Sequence, residues 1–432
     1  MIVMDWTIKP VKTLRGTITV PPDKSVSHRA IMFGAIAEGD TRVTNFLMGE
    51  DCLCTLNAFK SLGVEIAHSK GTVEIRGAGL SGLKAPKRPI YLGNSGTSMR
   101  VISGILAGQK FTTILEGDDS LSNRPMERIM KPLKEMGASI RSLSDGRCAP
   151  LEISPSKTGL SGISYNSPVA SAQVKSCILA AGLYARGETS VTEPFISRDH
   201  TERMFEYLSV KVARSGCTAK VKGGSKLIAR DIAVPGDISS AAFFIAAGLI
   251  VKGSELTLKN TGLNPTRRGV LDVLLRMGAN ISVMDQKEGV EPVGDLLVKH
   301  SLLRSTIVKE EEIPLLIDEI PILIIAALHA EGETVIKGIS ELKVKETDRV
   351  ESMRFNLAKM GVSFREENGN LYIKGKVNGL KNAIFDSFCD HRTAMSMAIA
   401  ALSAGGNSTV QNVNCVNTSY PSFYTDLMSV SQ

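Results

Sequence analysis

The stretch Leu92-Gly-Asn-Ser-Gly-Thr-Ser-Met-Arg100 sets two glycines, small polar side chains and a closing arginine directly before an apolar run, Val101 to Leu106. A helix beginning there leaves backbone N–H groups unpaired at its N-terminus, where the dipole favours negative charge, so the segment suits a bound anion. Its spacing is neither G-x-x-x-x-G-K-[ST] nor G-x-G-x-x-G, so it is not a P-loop or a dinucleotide turn. Alone, a Gly-Asn-x-Gly turn is ordinary helix-start chemistry. Comparable starts recur, however, at Lys24-Ser-Val-Ser-His-Arg29, Ala170-Ser-Ala-Gln173, Asp237-Ile-Ser-Ser240, Asp318-Glu-Ile-Pro321 and Asp390-His-Arg392. Ser, Asp and Asn at such positions are common N-caps. Capping does not account for Lys24, Arg29, Gln173 or Arg392, whose donors suit an anionic ligand.

These starts must be positioned by a repeated element, since they recur about every 65 to 80 residues. Each leads into an Ala/Ile/Leu-rich helix, then a β-branched strand such as Thr41–Thr44, Glu188–Val191, Ser254–Thr257 or Glu333–Ile336. Second, amphipathic helices close with Leu62-Gly63-Val64, Met136-Gly137-Ala138, Met277-Gly278-Ala279 and Met360-Gly361-Val362, where Gly fits a left-handed position after the last turn. Alternating helices and strands with short glycine turns indicate an α/β (α+β) fold of six repeated units. One unit is too short to be stable alone, and 432 residues suit two or three domains. The units therefore group as three plus three, one domain being residues 1–20 plus 236–432 and the other an inserted domain, 21–235. Short strands near Val20 to Asp23 and Ala233 to Asp237 are expected to carry the two crossovers.

Composition narrows the ligand. The net charge of +7 suits an anionic partner, yet it is spread along the chain without basic runs, and aromatics are only 5%. That pattern disfavours nucleic acid and favours small acidic substrates. Seven cysteines without paired C-x-x-C spacing read as reduced thiols in a cytosolic protein. The N-terminal Met1-Ile-Val-Met-Asp-Trp6 lacks the basic flank and apolar core of a signal peptide. Ile313 to Leu328 is strongly apolar, but Asp318, Glu319 and two prolines argue for a buried helix with carboxylates at its start rather than a membrane span.

Seven separated segments, in order, resemble one family. They are Pro21-Pro-Asp-Lys-Ser-Val-Ser-His-Arg29, the Leu92–Arg100 stretch, Asn123-Arg-Pro-Met126, Ser171-Ala-Gln-Val-Lys-Ser176, Ser197-Arg-Asp-His-Thr-Glu202, Lys345-Glu-Thr-Asp-Arg349 and Asp390-His-Arg392. The family is that of 5-enolpyruvylshikimate-3-phosphate synthase, and the likeness runs from about residue 8 to 428. The form with Ser-Ala-Gln-Val-Lys-Ser marks a subgroup. The resemblance implies a cytoplasmic monomer of two domains, each of three βαβαββ-like units, with its active site in the inter-domain cleft. It implies transfer of the carboxyvinyl group of phosphoenolpyruvate to shikimate 3-phosphate, toward chorismate, with no cofactor or metal and with glyphosate as inhibitor. No nucleic acid or membrane partner is implied.

Residue by residue, the likeness places Lys24, Ser25, Arg29, Ser171, Ala172, Gln173, Arg198, Asp318 and Lys345 at shikimate 3-phosphate. Lys24, Gly96, Arg124, Gln173, Arg349 and Arg392 fall at phosphoenolpyruvate. Asp318 is expected to act as base toward the 5-hydroxyl, Glu346 to exchange a proton with the methylene carbon, and Lys24 to assist. Glu319 is not expected to be catalytic, and Arg100 is expected to be structural. Two departures stand out. Thr418 occupies a place where many members have Lys, and Ala172 replaces one of the paired serines of other members. The nearest rival is UDP-N-acetylglucosamine enolpyruvyl transferase, which carries a Cys in the loop before its Arg-Pro. Gly117 to Arg124 contains none. A relationship to RNA 3′-phosphate cyclases would instead call for basic stripes and stacking aromatics, and the chain has one Trp.

Overall fold

The computed structural model describes residues 4–377 and 379–432, so Met1 to Val3 of the N-terminal stretch lie outside the described residues. Two compact units emerge, Met1–Pro21 with Pro235–Gln432, and Pro22–Val234. Each contains three small sheets built to one plan. A short edge strand runs parallel to a longer strand, whose other side receives the second arm of an antiparallel hairpin. In the Pro22–Val234 unit, Ile90–Tyr91 lies parallel to Thr113–Glu116, which pairs with the hairpin arm Leu151–Ser154. Ser164–Asn166 stands in the same relation to Glu188–Thr192 and its hairpin.

Parallel pairing requires a crossover, so the edge strand precedes a helix that returns the chain to the sheet. Two edge strands come instead from far along the sequence. Arg15–Thr19 lies parallel to Glu255–Gly262, and Ile232–Ala233 lies parallel to Glu38–Thr44. The sixth sheet has three strands, Ile384–Asp386 parallel to Ser408–Gln411, with Trp6–Ile8 taking the antiparallel place of a hairpin arm. Trp6 then stacks on Phe423 and Tyr424 at ring separations of 5.4 and 5.6 Å.

The first helix of each repeat is enclosed by its neighbours. All residues of Ile238–Ile250 and His391–Ala401 are buried, as are nine of the ten in Ile320–His329. An apolar surface on every side is what a helix wrapped by sheets and other helices needs. In the other unit Gly96–Leu106 and Ala172–Gly182 pack so closely that a Cβ on Gly104 would stand 2.1 Å from the Cys177 carbonyl oxygen. Glycine is the residue that permits this backbone approach.

The second helices end as their sequences require. Gly63, Gly137, Gly278 and Gly361 have φ between 81° and 93°. In each case the following N–H reaches back to the carbonyl five residues earlier, as Val64 does to Phe59 at 3.1 Å. A fifth helix, His200–Tyr207, closes the same way, with Val210 N–H on the Phe205 carbonyl, but Ser209 occupies the left-handed position at φ 74°.

One expectation needs correction. The apolar stretch from Ile313 to Leu328 is not one helix: Ile313–Leu316 ends, a 3₁₀ turn spans Ile317–Glu319, and a new helix runs Ile320–His329. Pro321 lacks an N–H and its ring would collide with the Ile317 carbonyl in a continuous helix. It is accommodated within the first turn of the new one. The break turns Asp318 and Glu319 into the approach to a helix N-terminus. Among the described residues no helix is long and apolar enough to cross a membrane.

Candidate active site

In the Pro22–Val234 unit, the three repeated helix starts are capped by side chains. Asp23 accepts the Val26 N–H at 2.8 Å, Ser95 that of Ser98 at 3.2 Å, and Ser171 that of Val174 at 3.5 Å. Side chains tie the starts together. Gln173 donates to Thr97 at 3.0 Å and accepts from Arg100 at 2.5 Å, joining the second and third helices. His28, Thr55, Ser98 and Ser95 form a buried chain of contacts at 2.7, 2.6 and 2.6 Å, joining the first and second. Burial, with Lys24 and Arg29 nearby, holds the His28 imidazole well below its usual range, so it is neutral.

Cationic groups gather on this frame. Lys24 Nζ lies 3.1 Å from Asp51. Arg124 donates to the Asn94 carbonyl at 3.3 Å, to the Asn94 side chain and to Ser120 at 3.2 Å. A Cβ built on Gly96 would lie 3.0 Å from Arg100 Nη1 and 3.3 Å from Arg124 Nη1. The missing side chain therefore leaves room directly beside two guanidinium groups. Arg29 is buried, with Nε, Nη1 and Nη2 donating to Thr201, the Ser25 carbonyl and Ser176 at 2.7, 3.0 and 2.8 Å, so it braces three elements. Ser25, Ala172 and Arg198 are half-buried, the first two in opening helical turns and the last in the loop before His200–Tyr207.

The Ser171 start is itself anchored from below. Its N–H donates to Glu193 at 2.7 Å, and Glu193 also accepts from the Ser197 hydroxyl at 2.7 Å. Lys175 Nζ sits 2.9 Å from both Glu193 and Glu202, all three side chains buried. Burial opposes the lysine's charge, yet the two carboxylates outweigh it and raise its pKa. Glu202, with fewer donors around it, is pushed up by burial.

In the other unit the clustering is tighter. Asp237 and Asp390 cap their helices through the N–H groups of Ser239 and Arg392, at 2.8 and 2.7 Å. Phe388 and Cys389 hold φ values of 51° and 55°, two left-handed residues in succession that deliver Asp390 to its helix. Such conformations are costly for residues with a Cβ and persist where surroundings enforce them. Arg349, fully buried, donates Nε to Asp390 at 2.8 Å, Nη1 to Asp318 at 3.0 Å and Nη2 to Glu346 at 2.5 Å. Burial works against its charge, but Asp390, Glu346 and Asp318 outweigh it and keep the guanidinium protonated. Lys345 is half-buried beside Glu346, at the end of a 3₁₀ turn.

Arg392 donates to the carbonyl of Ser239 at 3.2 Å and to its hydroxyl, and its guanidinium lies 5.9 Å from the centre of the Phe243 ring. Its Nε is buried without a hydrogen-bond partner among the described residues. A buried donor of this kind is costly unless something accepts from it. Thr418, by contrast, donates to the Cys415 carbonyl at 2.8 Å within its own turn. Among the described residues no group of three or more His, Cys, Asp or Glu side chains converges on a point that could hold a metal.

Asp318 and Glu346, taken from separate sequence segments, thus meet on the Arg349 guanidinium, and Gly96, Arg124 and Gln173 share a second cluster with Arg100. Sequence reasoning treated Arg100 as structural, and the structure has it hold the Gln173 side chain and the Pro125 carbonyl. The same reasoning missed Arg267, which pairs with Glu319, and Glu193, which binds the Ser171 N–H. Neither carries a local pattern that would reveal a partner tens of residues away.

Comparison with known proteins gives a consistent result. The profile of the family described as EPSP synthase (3-phosphoshikimate 1-carboxyvinyltransferase) matches residues 8–427. A curated 3-phosphoshikimate 1-carboxyvinyltransferase from Citrifermentans bemidjiense is 50% identical, covering 99% of both chains. One of the same name from Brevibacillus brevis is 48% identical over 98% of this chain and 99% of its own. The solved EPSP synthase of Acinetobacter baumannii superposes with a TM-score of 0.88 at 47% identity, covering 99% of this chain and 98% of that one. With a full-length match of this kind, and the clusters described above, the chain belongs to the EPSP synthase (3-phosphoshikimate 1-carboxyvinyltransferase) family.

Proposed function

We propose that the chain transfers the carboxyvinyl group of phosphoenolpyruvate to the 5-hydroxyl of shikimate 3-phosphate and releases phosphate. The observation that carries the assignment of roles is the Arg349 clasp, which holds Asp318 and Glu346 on one buried cation at 3.0 and 2.5 Å. In this reading Asp318 takes the proton of the 5-hydroxyl as its oxygen bonds to C2 of phosphoenolpyruvate. A proton reaches the methylene carbon from Glu346, giving a tetrahedral adduct. Return of a methyl proton to Glu346 re-forms the double bond as the C–O bond to phosphate breaks, and the proton held by Asp318 passes to the departing phosphate. Preorganised donors around such charge changes are the main source of rate enhancement.

Lys24, Ser25, Arg29, Ser171, Ala172, Gln173, Arg198, Asp318 and Lys345 are assigned to shikimate 3-phosphate. Lys24, Gly96, Arg124, Gln173, Arg349 and Arg392 are assigned to phosphoenolpyruvate. Capped helix starts joined by side-chain hydrogen bonds favour anions of this kind. The buried link of Lys175 to Glu193 and Glu202 supports placing the chain in the Ser-Ala-Gln-Val-Lys-Ser subgroup, because it makes two of that group's motifs one structural element. A cytoplasmic monomer inhibited by glyphosate completes the proposal, the space beside Gly96 being what would admit the inhibitor.

Phosphate release from phosphoenolpyruvate tests the assignment. Turnover is expected with shikimate 3-phosphate and not with UDP-N-acetylglucosamine. The opposite preference would overturn it.

A further inference from the structure

Glu319 takes no part in the proton transfers above, yet its carboxylate is 0% exposed, an expensive place for a charge. It is the N-cap residue of Ile320–His329 but makes no side-chain capping bond. Its oxygens instead reach across to other elements. Arg267 Nη1 donates to both at 2.9 Å, the Ser239 hydroxyl donates to one, and Arg392 Nη1 lies 3.7 Å away. Arg267 Nη2 also stands 3.8 Å from Asp237, the cap of the Ile238–Ile250 helix.

The chemistry of these groups sets the direction of every bond. A carboxylate only accepts and a guanidinium only donates. The single Ser239 proton therefore goes to Glu319, which leaves the Ser239 oxygen as acceptor for Arg392 Nη1. A neutral group at position 319 could donate to Ser239 instead, and the hydroxyl would be free to turn away from Arg392. With Nη1 fixed in this way, the buried Nε that lacks a partner is held in one orientation.

We propose that Glu319, backed by Arg267 and acting through Ser239, is the positioning residue that aims Arg392 at phosphoenolpyruvate. The proposal rests on the reading of Arg392 as a phosphoenolpyruvate ligand. Glu319 touches neither substrate; it sets the hydrogen-bond polarity that presents the arginine.

Steady-state kinetics of the full-length chain test it, varying each substrate separately. Ser239→Ala should raise KM for phosphoenolpyruvate by about fivefold, the scale of one lost hydrogen bond, with KM for shikimate 3-phosphate nearly unchanged. Glu319→Gln should act in the same direction and more strongly. In an Arg392→Ala background, Ser239→Ala should add no further increase, since coupled residues are not additive. If Glu319→Gln does not fold, Ser239→Ala and the coupling measurement carry the test alone. Equal rises in both KM values, or a full additive effect on top of Arg392→Ala, would show a merely structural cluster and overturn the proposal. If Arg392→Ala itself leaves KM for phosphoenolpyruvate unchanged, the ligand assignment of Arg392 fails, and the positioning role with it.

Discussion

Replacing Gly96 by alanine offers a test in which the size of the perturbation can be worked from the structure. The new methyl would stand 3.0 Å from Arg100 Nη1 and 3.3 Å from Arg124 Nη1. Ordinary van der Waals contact begins at 3.4 Å, so Arg100 must retreat by 0.4 Å and Arg124 by 0.1 Å. Arg100 cannot move alone, because its Nη1 holds the Gln173 side-chain oxygen Oε1 at 2.5 Å and its Nη2 the Pro125 backbone carbonyl at 3.2 Å. Displacement is therefore passed to Gln173, assigned to both substrates. A misplacement of ~1 Å at a reacting centre costs about a hundredfold, so a shift of this size predicts a fall in kcat/KM for phosphoenolpyruvate of roughly five- to tenfold. Glycine and alanine differ little in helix-start chemistry, so the unfolding midpoint should move little. Phosphate release at varied phosphoenolpyruvate, with and without glyphosate, is the assay. Glyphosate inhibition should weaken more than phosphoenolpyruvate binding if the methyl occupies space that the inhibitor fills. Unchanged inhibition, or an effect confined to KM for shikimate 3-phosphate, would refute the steric account.

Other expectations follow from particular side chains. Asp318→Ala should lower kcat by about a hundredfold or more, the scale of a lost general base, and near-wild-type turnover would remove Asp318 from the proton transfers. Ser209→Gly relieves a left-handed backbone at φ 74° and should stabilise its unit by about 0.5–1 kcal/mol, read as a higher denaturant midpoint in urea. No rise would mean that the Ser209 side chain makes up for its strain. Acid sensitivity has an identifiable source in His329, whose pKa is lowered to about 4 by burial, with His300 adding to the effect. The unfolded chain binds this proton below pH 6.5 and the folded one does not, so stability falls as pH drops from 6.5 toward 4. His329→Leu should remove about 2–3 kcal/mol of the loss between pH 7 and 4.5, measured by urea unfolding at both pH values. Identical losses in the variant and the parent would exclude His329 as the source.

Features governed by a few neighbouring residues could be read from the chain itself. Glycines after Leu62, Met136, Met277 and Met360 mark left-handed helix ends because only the local backbone decides that geometry. Asp23, Ser95, Ser171, Asp237 and Asp390 declare their helix starts for the same reason, since each caps an N–H two or three residues away. Prolines at 314 and 321 were visible too, but their effect on the helix was underestimated until the Leu316 to Glu319 break appeared.

Long-range pairing was not visible in this way. Nothing in Trp6-Thr-Ile8 announces that it will complete a sheet with Ser408–Gln411, because strand partnership depends on which edge remains open once the other strands have paired. Ser209 adopts a glycine's conformation because the chain must turn there whatever residue it carries. Glu319 reads as a helix cap, and only its neighbours in space turn its carboxylate toward Arg267 and Ser239. Sequence by itself determined the repeated helix starts and the kind of charge they would attract. Tertiary structure decided which carboxylates share a cation, because a buried ion pair is selected by the whole packing around it, and no local pattern encodes that choice.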